Sequence, residues 1–179
     1  MNFRFRLLPE RFHPTGEETD TGVRSDGRFD AFFEQMPFTL SYGHEYAAYR
    51  EGPDEIVMPD ASRFESVGML WGTACHEAVH ATGVKDRLNR ECFDRYHAEE
   101  DARASEELVA EVGAAMLTAH LGVEGEHIDN HAAYLKSWLR ALRGDKRHIF
   151  KAAAEAQRAC DWLLERGGSA VEAPSSKAA

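Results

Sequence analysis

The pattern of apolar and polar residues predicts short strands in the first third of the chain and helices after it. Phenylalanines at helical spacing predict a short helix over residues 29–35, and Pro37 ends it. Three short stretches rich in aromatic or β-branched side chains follow at 38–43, 45–49 and 54–58. A Gly-Pro-Asp turn precedes the third stretch, so we expect a hairpin or a meander.

Helical spacing begins again after this sheet. Apolar and small residues predict a helix from about Ser66 to Thr82, and Gly83 is placed to end it. Residues 84–104 are charged and lack an apolar stripe. We therefore expect a long loop there, of the kind that is usually functional or disordered.

A second long helix is predicted to follow that loop. Ser105 has the position of an N-cap, which would place Glu106 and Glu107 in the first turn, where carboxylates favour the helix dipole. The apolar stripe of this helix stops at Gly122.

Two more helices are expected, over residues 130–142 and 146–167. They should cover the remaining apolar surface through six large side chains: Leu135, Trp138, Leu139, Leu142, Ile149 and Phe150. The chain then divides into an arm with a short helix (1–37), a folded domain (38–166) and a flexible tail (167–179).

Composition narrows the functional classes. The 179 residues suffice for one domain with a core, and no apolar run is long enough for a membrane helix. Three cysteines, Cys75, Cys92 and Cys160, form no disulfide framework, so we expect reduced thiols in the cytoplasm. The net charge of −10 disfavours nucleic-acid binding by the whole domain. Residues 136–151 are basic, which we interpret as a solvated helix face, with a phosphate or partner contact as the alternative.

One motif predicts a catalytic metal site. Residues 76–80 read His-Glu-Ala-Val-His, and on a helix the two histidines lie one turn apart on the same face, so both can reach one metal ion. Glu77 lies one step around the helix and can touch a water on that metal without being a ligand. Zinc lowers the pKa of such a water towards 7, and the carboxylate can then take its proton.

A catalytic zinc site needs a third protein ligand. Glu107 and Glu111 are one turn apart beside the apolar stripe of the second long helix. Glu107 is our candidate ligand and Glu111 our candidate for the carboxylate that orients a ligand imidazole. The competing third ligands are Glu106, Glu99, Glu100 and, more weakly, His97 and Asp101.

A developing oxyanion usually gains a second hydrogen-bond donor besides the metal. Tyr134 and His131 are the candidates for this donor, and Tyr134 is the catalytic residue that we select. Tyr96 and His97, in the charged segment, are the alternatives.

Several blocks resemble, in order, the zincin-like metallopeptidase domain of ArdC-type antirestriction proteins and of phage and plasmid polyvalent proteins. They are DEIVMPDASRFES, HEAVHATGVKDRLNRE, EELVAEVGAAML and DNHAAYLKSWLRALRGDKRHIFKAAAEAQRACDWLL, within residues 40–165. By this resemblance His76 and His80 are metal ligands and Glu77 is the base. The block 106–111 also resembles the N-E-x-x-S-D element of thermolysin-like enzymes, which places Glu107 on the ligand and Glu111 on the outer carboxylate.

The resemblance implies a fold and an activity. The fold would be α+β and zincin-like, with a small sheet packed on the active-site helix and helices at the C-terminal end. The activity would be zinc-dependent peptide hydrolysis in the cytoplasm, with one Zn²⁺ per chain. The substrate would be a protein or peptide, such as a host defence protein met by a mobile element.

Other functions stay open at this point. One is an acidic interaction protein whose metal is only structural. Another is a nucleic-acid module that uses residues 136–151. ArdC-type proteins usually carry a single-stranded-DNA-binding domain ahead of the peptidase domain, whereas about 40 residues precede the match here. We therefore expect no nucleic-acid binding by this domain alone, and no membrane partner.

Overall fold

The computed structural model describes residues 20–123 and 147–168, which form an α+β arrangement, as expected. In chain order the elements are α1 (Gly27–Phe33), β1 (Thr39–Ser41), β2 (Ala48–Arg50), β3 (Glu55–Val57), α2 (Val67–Ala81), α3 (Glu91–Asp94), α4 (Glu100–His120) and α5 (Arg147–Gly167).

Helix α1 belongs to the main core. It begins after Asp26, whose carboxylate accepts a hydrogen bond from the Phe29 N–H at 2.7 Å. Its phenylalanines are buried against Trp71 of α2, and the rings of Phe29 and Trp71 meet edge to face with centroids 4.9 Å apart. The short helix predicted over 29–35 is confirmed, with a start two residues earlier.

The three strands are confirmed, and their order is β1-β3-β2. Strands β2 and β3 pair antiparallel across the predicted turn, in which Asp54 has φ 53°. A meander is wrong, because β1 pairs in parallel with β3 instead of lying beside β2. The loop 42–47, with Gly43 at φ 86°, carries the chain to the far side of β3. As a result β2 is an edge strand of the described sheet.

Helix α2 forms the centre of the molecule. Ser66 caps it by accepting a hydrogen bond from the Met69 N–H at 3.2 Å, and the helix ends at Ala81. Thirteen of its fifteen residues are buried, which agrees with the predicted helix from Ser66 to Thr82. The strands β2 and β3 contact it on one side, and α4 and α5 contact it on the others.

The predicted long loop at 84–104 is wrong. The segment contains the short helix α3, and α4 already begins at Glu100, so Ser105 is not an N-cap. Its hydroxyl instead donates to the Asp101 carbonyl at 2.8 Å, one turn back along the helix. The start of α4 has no apolar stripe because its first turn is exposed to solvent. Glu106 and Glu107 consequently lie in the second turn, away from the helix terminus.

Helices α2, α4 and α5 share the core. Gly113 of α4 faces Val79 of α2, and a Cβ at position 113 would lie 2.8 Å from a Val79 methyl group. The two helices therefore approach more closely than any larger residue at 113 would allow. Within the described residues, no helix is long and apolar enough to cross a membrane.

Helix α5 is confirmed, but the expected packing of its first turn is wrong. Ile149 is 37% exposed and Phe150 is 74% exposed, because the face of α5 that contacts the core begins at Ala152. The buried residues of that face are Ala152, Ala156, Ala159, Cys160, Leu163 and Gly167. The predicted helix over 130–142, with its leucines and tryptophan, lies outside the described residues.

Candidate metal centre

The described residues hold a group of three side chains that could bind one metal ion: His76, His80 and Glu107. Nε2 of His76 lies 3.1 Å from Nε2 of His80 and 3.5 Å from Oε2 of Glu107. Nε2 of His80 lies 3.8 Å from Oε1 of Glu107. The two imidazoles come from adjacent turns of α2, and the carboxylate comes from α4, which packs across from it.

These distances fit a divalent metal. Ligands about 2.0–2.1 Å from a tetrahedral zinc lie about 3.3 Å from one another, and the 3.1 and 3.5 Å separations bracket that value. Glu107 Oε2 is also buried without a hydrogen-bond partner among the residues described. Two imidazole nitrogens that face each other beside such an oxygen cannot meet the hydrogen-bonding needs of all three atoms, whereas a cation between them would.

His76 and Glu107 each have a further partner outside this group of three. Nδ1 of His76 lies 3.5 Å from Oε1 of Glu111, one turn along α4 from Glu107. The Tyr96 hydroxyl donates a hydrogen bond to Glu107 Oε1. That bond occupies Oε1 and leaves Oε2 free to face Nε2 of His76, 3.5 Å away.

Glu106 occupies a different position from the one expected for a competing ligand. Its Oε1 lies 3.1 Å from Nδ1 of His80, on the side of the imidazole opposite the Nε2 that faces His76. Arg90, which no local sequence pattern indicates, donates to both of its oxygens. The pKa of Glu106 lies below its ordinary range, because the hydrogen bonds from His80 and Arg90 outweigh burial, which acts in the opposite direction.

The remaining competitors for the third ligand lie outside the group of three. Glu99 is half exposed and lies 3.7 Å from Arg95. Glu100 and Asp101 are exposed in the first turn of α4, and His97 is exposed at the edge of the cleft described below.

Glu77 is buried next to the two histidines and is held by the sheet. Its Oε2 accepts a hydrogen bond from the backbone N–H of Tyr49, in β2, at 2.8 Å. This bond comes from β2, an edge strand of the described sheet, and joins that strand to α2. No sequence pattern indicated the bond, since any residue at position 49 except proline could supply it.

A cleft of about 280 Å³ opens beside Glu77, His80 and Tyr96. Most of the other lining side chains are aromatic or charged, among them Tyr46, Tyr49, Phe93, Arg50, Lys85 and Asp94. Glu77 and one candidate ligand, His80, are therefore reached from the same depression in the surface.

The electrostatics of the centre favour a cation. Burial lowers the pKa of His76, but the Glu107 carboxylate, 3.5 Å from its Nε2, and the charges of Glu111 and Glu77 outweigh burial and raise the pKa to about 9. The pKa of Glu107 is lowered against the effect of burial by His76 and His80. In the metal-free protein a proton on His76 thus balances part of the negative charge of the carboxylates. A bound metal ion would supply that positive charge instead.

Of the predicted oxyanion donors, only Tyr96 and His97 lie within the described residues. Tyr134 and His131 lie outside the described residues. Tyr96 is buried beside the centre, with its ring 5.9 Å from that of His80. Burial, followed by the Glu107 carboxylate, raises the pKa of its hydroxyl, which therefore remains protonated and able to donate.

Residues 27–155 match the model of a family described as zincin-like metallopeptidase. The chain is 36% identical over 136 residues to protein y4eC of Sinorhizobium fredii, covering 76% of this chain and 44% of y4eC. It is 39% identical over 127 residues to the DNA primase TraC of Escherichia coli, covering 70% of this chain and 12% of TraC.

Two solved structures of the antirestriction protein ArdC from plasmid R388 are similar to this one, each at 42% sequence identity. The Mn(II)-bound structure has a TM-score of 0.70 and is matched over 81% of this chain and 54% of ArdC. The metal-free structure has a TM-score of 0.69, over 90% and 57%. The chain thus spans less than half of y4eC and little more than half of ArdC.

Proposed function

The chain belongs to the zincin-like metallopeptidase family, and we propose that it is a zinc-dependent hydrolase that cleaves a peptide bond in a host protein. The cleavage would serve antirestriction by a plasmid or phage. The observation that carries this proposal is the convergence of His76, His80 and Glu107 beside Glu77, with His80 and Glu77 lining one cleft.

The described side chains have complementary tasks in this reaction. His76, His80 and Glu107 would hold the metal, which when bound supplies Lewis-acid chemistry to water and to the substrate carbonyl. Glu77 would take the proton of the attacking water and later pass it to the leaving amine. The Tyr49 N–H fixes one oxygen of Glu77, so the carboxylate keeps its direction while it carries that proton.

Support for the biological setting comes from similarity. ArdC of plasmid R388 is named an antirestriction protein, and it matches 81% of this chain at 42% identity. One of the two ArdC structures is Mn(II)-bound, so a divalent metal is implied, and we propose zinc for this chain.

Metal analysis of protein purified without added metal would test the proposed zinc site, with about one zinc per chain expected. The His76→Ala, His80→Ala double variant should contain none, and full occupancy in that variant would overturn the metal site.

The decisive experiment for hydrolysis compares Glu77→Gln with wild type. The change removes the base and keeps both histidines, so we expect a normal zinc content and no cleavage. Host-cell protein would be incubated with each variant, and new peptide N-termini would be identified by mass spectrometry. Glu65→Gln, an exposed change of the same kind near the start of α2, is the matched control and should cleave as wild type does. Casein should be cleaved weakly or not at all.

A second readout separates hydrolysis from the acidic-interaction alternative. Protection of an incoming plasmid against restriction would be measured in cells that carry each variant. If zinc-loaded Glu77→Gln protects as well as wild type, hydrolysis is not the function. The acidic chain, with its net charge of −10, would then act by binding alone.

The oxyanion donor is tested by a pair of variants, Tyr96→Phe and Tyr134→Phe. In the variant that removes the donor hydroxyl, kcat should fall about 10²–10³-fold, and in the other variant kcat should change little. If Tyr134→Phe keeps full turnover, Tyr134 has no electrophilic role.

A further inference from the structure

Arg90 and Glu106 form an ion pair in the interior of the molecule, and both side chains have no exposed surface. Nη2 of Arg90 donates to Oε1 of Glu106 at 2.6 Å, and Nε donates to Oε2 at 2.9 Å. This two-point contact fixes the plane of the carboxylate relative to the guanidinium group.

The carboxylate of Glu106 has no remaining capacity to bind a metal. Oε1 accepts from Arg90 and from Nδ1–H of His80, and Oε2 accepts from Arg90 and from the Cys92 thiol at 3.0 Å. A carboxylate has about four acceptor positions, and all four are in use. Glu106 therefore acts through its neighbours.

Arg90 is itself fixed by the end of α2. Its Nη1 donates to the Thr82 hydroxyl at 2.6 Å, and its Nη2 donates to the Val79 carbonyl at 2.6 Å. The guanidinium group thus bonds to the helix that carries His80 and to the carboxylate that contacts His80.

We propose that Arg90 and Glu106 form a positioning pair that fixes the tautomer and the ring orientation of His80, so that its Nε2 is presented to the metal. A proton on Nδ1 that is donated to Glu106 leaves the lone pair on Nε2. The proposal rests on the metal site described under Proposed function, and it adds to that site two residues that are not ligands.

Stability alone does not account for such a pair. Replacing a buried ion pair by apolar residues of similar volume is often neutral or stabilising, because taking both charges out of water is costly. A contact directed at one ring nitrogen of a candidate ligand is better explained by the orientation that it imposes. His76 has the weaker arrangement, since Glu111 lies 3.5 Å from its Nδ1, compared with 3.1 Å between Glu106 and His80.

The test measures zinc affinity by competition with a chromophoric chelator, in wild type, Glu106→Gln and Arg90→Lys. Glu106→Gln should weaken zinc about 10–100-fold, the usual effect of losing a partner of a ligand histidine. Arg90→Lys keeps the charge but loses the two-point contact, so a smaller loss is expected. Arg95 and Glu91 form an exposed pair nearby, and Arg95→Lys and Glu91→Gln are matched controls that should bind zinc as wild type does.

A spectroscopic readout separates positioning from a merely structural role. Co(II) would replace zinc, and the visible absorption band would report the coordination geometry. We expect a shifted or weakened band in Glu106→Gln and an unchanged band in the two controls. Circular dichroism of the metal-free proteins checks folding. If Glu106→Gln fails to fold, the affinity and the band of Arg90→Lys decide the question in the same way.

Two outcomes distinguish the failure of this proposal from the failure of the metal site. If His80→Ala loses zinc while folded Glu106→Gln keeps wild-type affinity and an unchanged Co(II) band, the positioning pair is refuted and the metal site stands. If His80→Ala itself binds zinc as wild type does, His80 is not a ligand, and both proposals are overturned.

Discussion

Helices α2 and α4 both contribute to the candidate metal centre, but they differ in almost every other respect. Helix α2 is capped by Ser66, is nearly all buried and carries a recognisable motif. Helix α4 begins without a side-chain cap in a charged, exposed turn, and only its later turns reach the core. One helix is positioned by apolar packing, and the other presents carboxylates that cations and a tyrosine hydroxyl stabilise.

The difference shows how charged residues become part of an interior. Glu106 is buried because Arg90 pairs with it, and Glu107 lies beside two histidines and Tyr96. An unpaired carboxylate in either place would be costly. The charged segment between the helices therefore supplies the partners that allow α4 to approach α2.

The largest effect should come from removing a ligand from either helix. Apparent zinc-binding energies of about 10–16 kcal/mol, shared among a few ligands, suggest a loss of about three orders of magnitude in affinity for each. Glu107→Ala should therefore weaken zinc as much as His80→Ala, whereas Glu111→Ala should cost about 10–100-fold. Competition titrations measure all three. If Glu99→Ala or Glu100→Ala releases the metal and Glu107→Ala does not, the start of α4 supplies the ligand.

Lowering the pH should weaken the metal site through His76. Its pKa of about 9 means that a proton must leave before the nitrogen can bind a metal. Zinc affinity should rise about tenfold per pH unit between pH 7 and 8.5, as measured by competition in buffers of constant ionic strength. A flat profile would show that His76 carries no proton in the metal-free protein.

The same shift affects the stability of the metal-free chain with the opposite dependence on pH. The folded pKa of about 9 lies above the ordinary value of 6.5, so protonation of His76 stabilises the fold. This contribution is fully present below about pH 6.5 and is lost as the pH rises through about 9. Urea unfolding of metal-free protein at several pH values measures it, with His76→Gln as the variant that should lack this dependence.

An intermediate effect is expected where the two helices touch. Gly113→Ala places a methyl group against Val79 and should destabilise the fold by about 1–3 kcal/mol, the usual cost of overpacking. Gly27→Ala is the control, because a Cβ at position 27 meets no atom within 4 Å. Thermal unfolding compares the two. Equal melting temperatures would mean that α4 can move away from α2 at no cost.

The smallest expected effect is the difference in stability between alanine variants of Ser66 and Ser105, the two serines that the sequence places at helix starts. Ser66→Ala removes the cap of α2 and should cost about 1 kcal/mol of stability. Ser105→Ala lies inside α4, where the hydroxyl only bonds back to Asp101, and should be neutral within about 0.5 kcal/mol. Chemical denaturation resolves the difference. A larger loss at Ser105 would contradict the early start of α4.

Local signals predicted much of this molecule. The apolar spacing, the cap and the following glycine together define α2, and the spacing of its histidines led to the residues that the structure brings together. Sheet order was less accessible, because the parallel pairing of β1 with β3 depends on contacts distant in sequence.

The charged segment was the hardest part to interpret. Its residues read as solvated, since sequence alone does not distinguish an exposed arginine such as Arg95 from a buried one such as Arg90. The partner of Arg90 lies 16 positions away, so no local period reveals it. Ser105 misled for a related reason, because an N-cap residue type also occurs inside helices.

The hydrogen bond from the Tyr49 backbone to Glu77 has a consequence for genetics. Saturation mutagenesis of position 49 would keep this bond in almost every variant, because nineteen of the twenty amino acids carry the backbone N–H that it needs. Only proline would expose it, by deleting the donor. This contact therefore depends on the position of the strand backbone relative to α2, and a change of strand register would break it where a change of side chain would not.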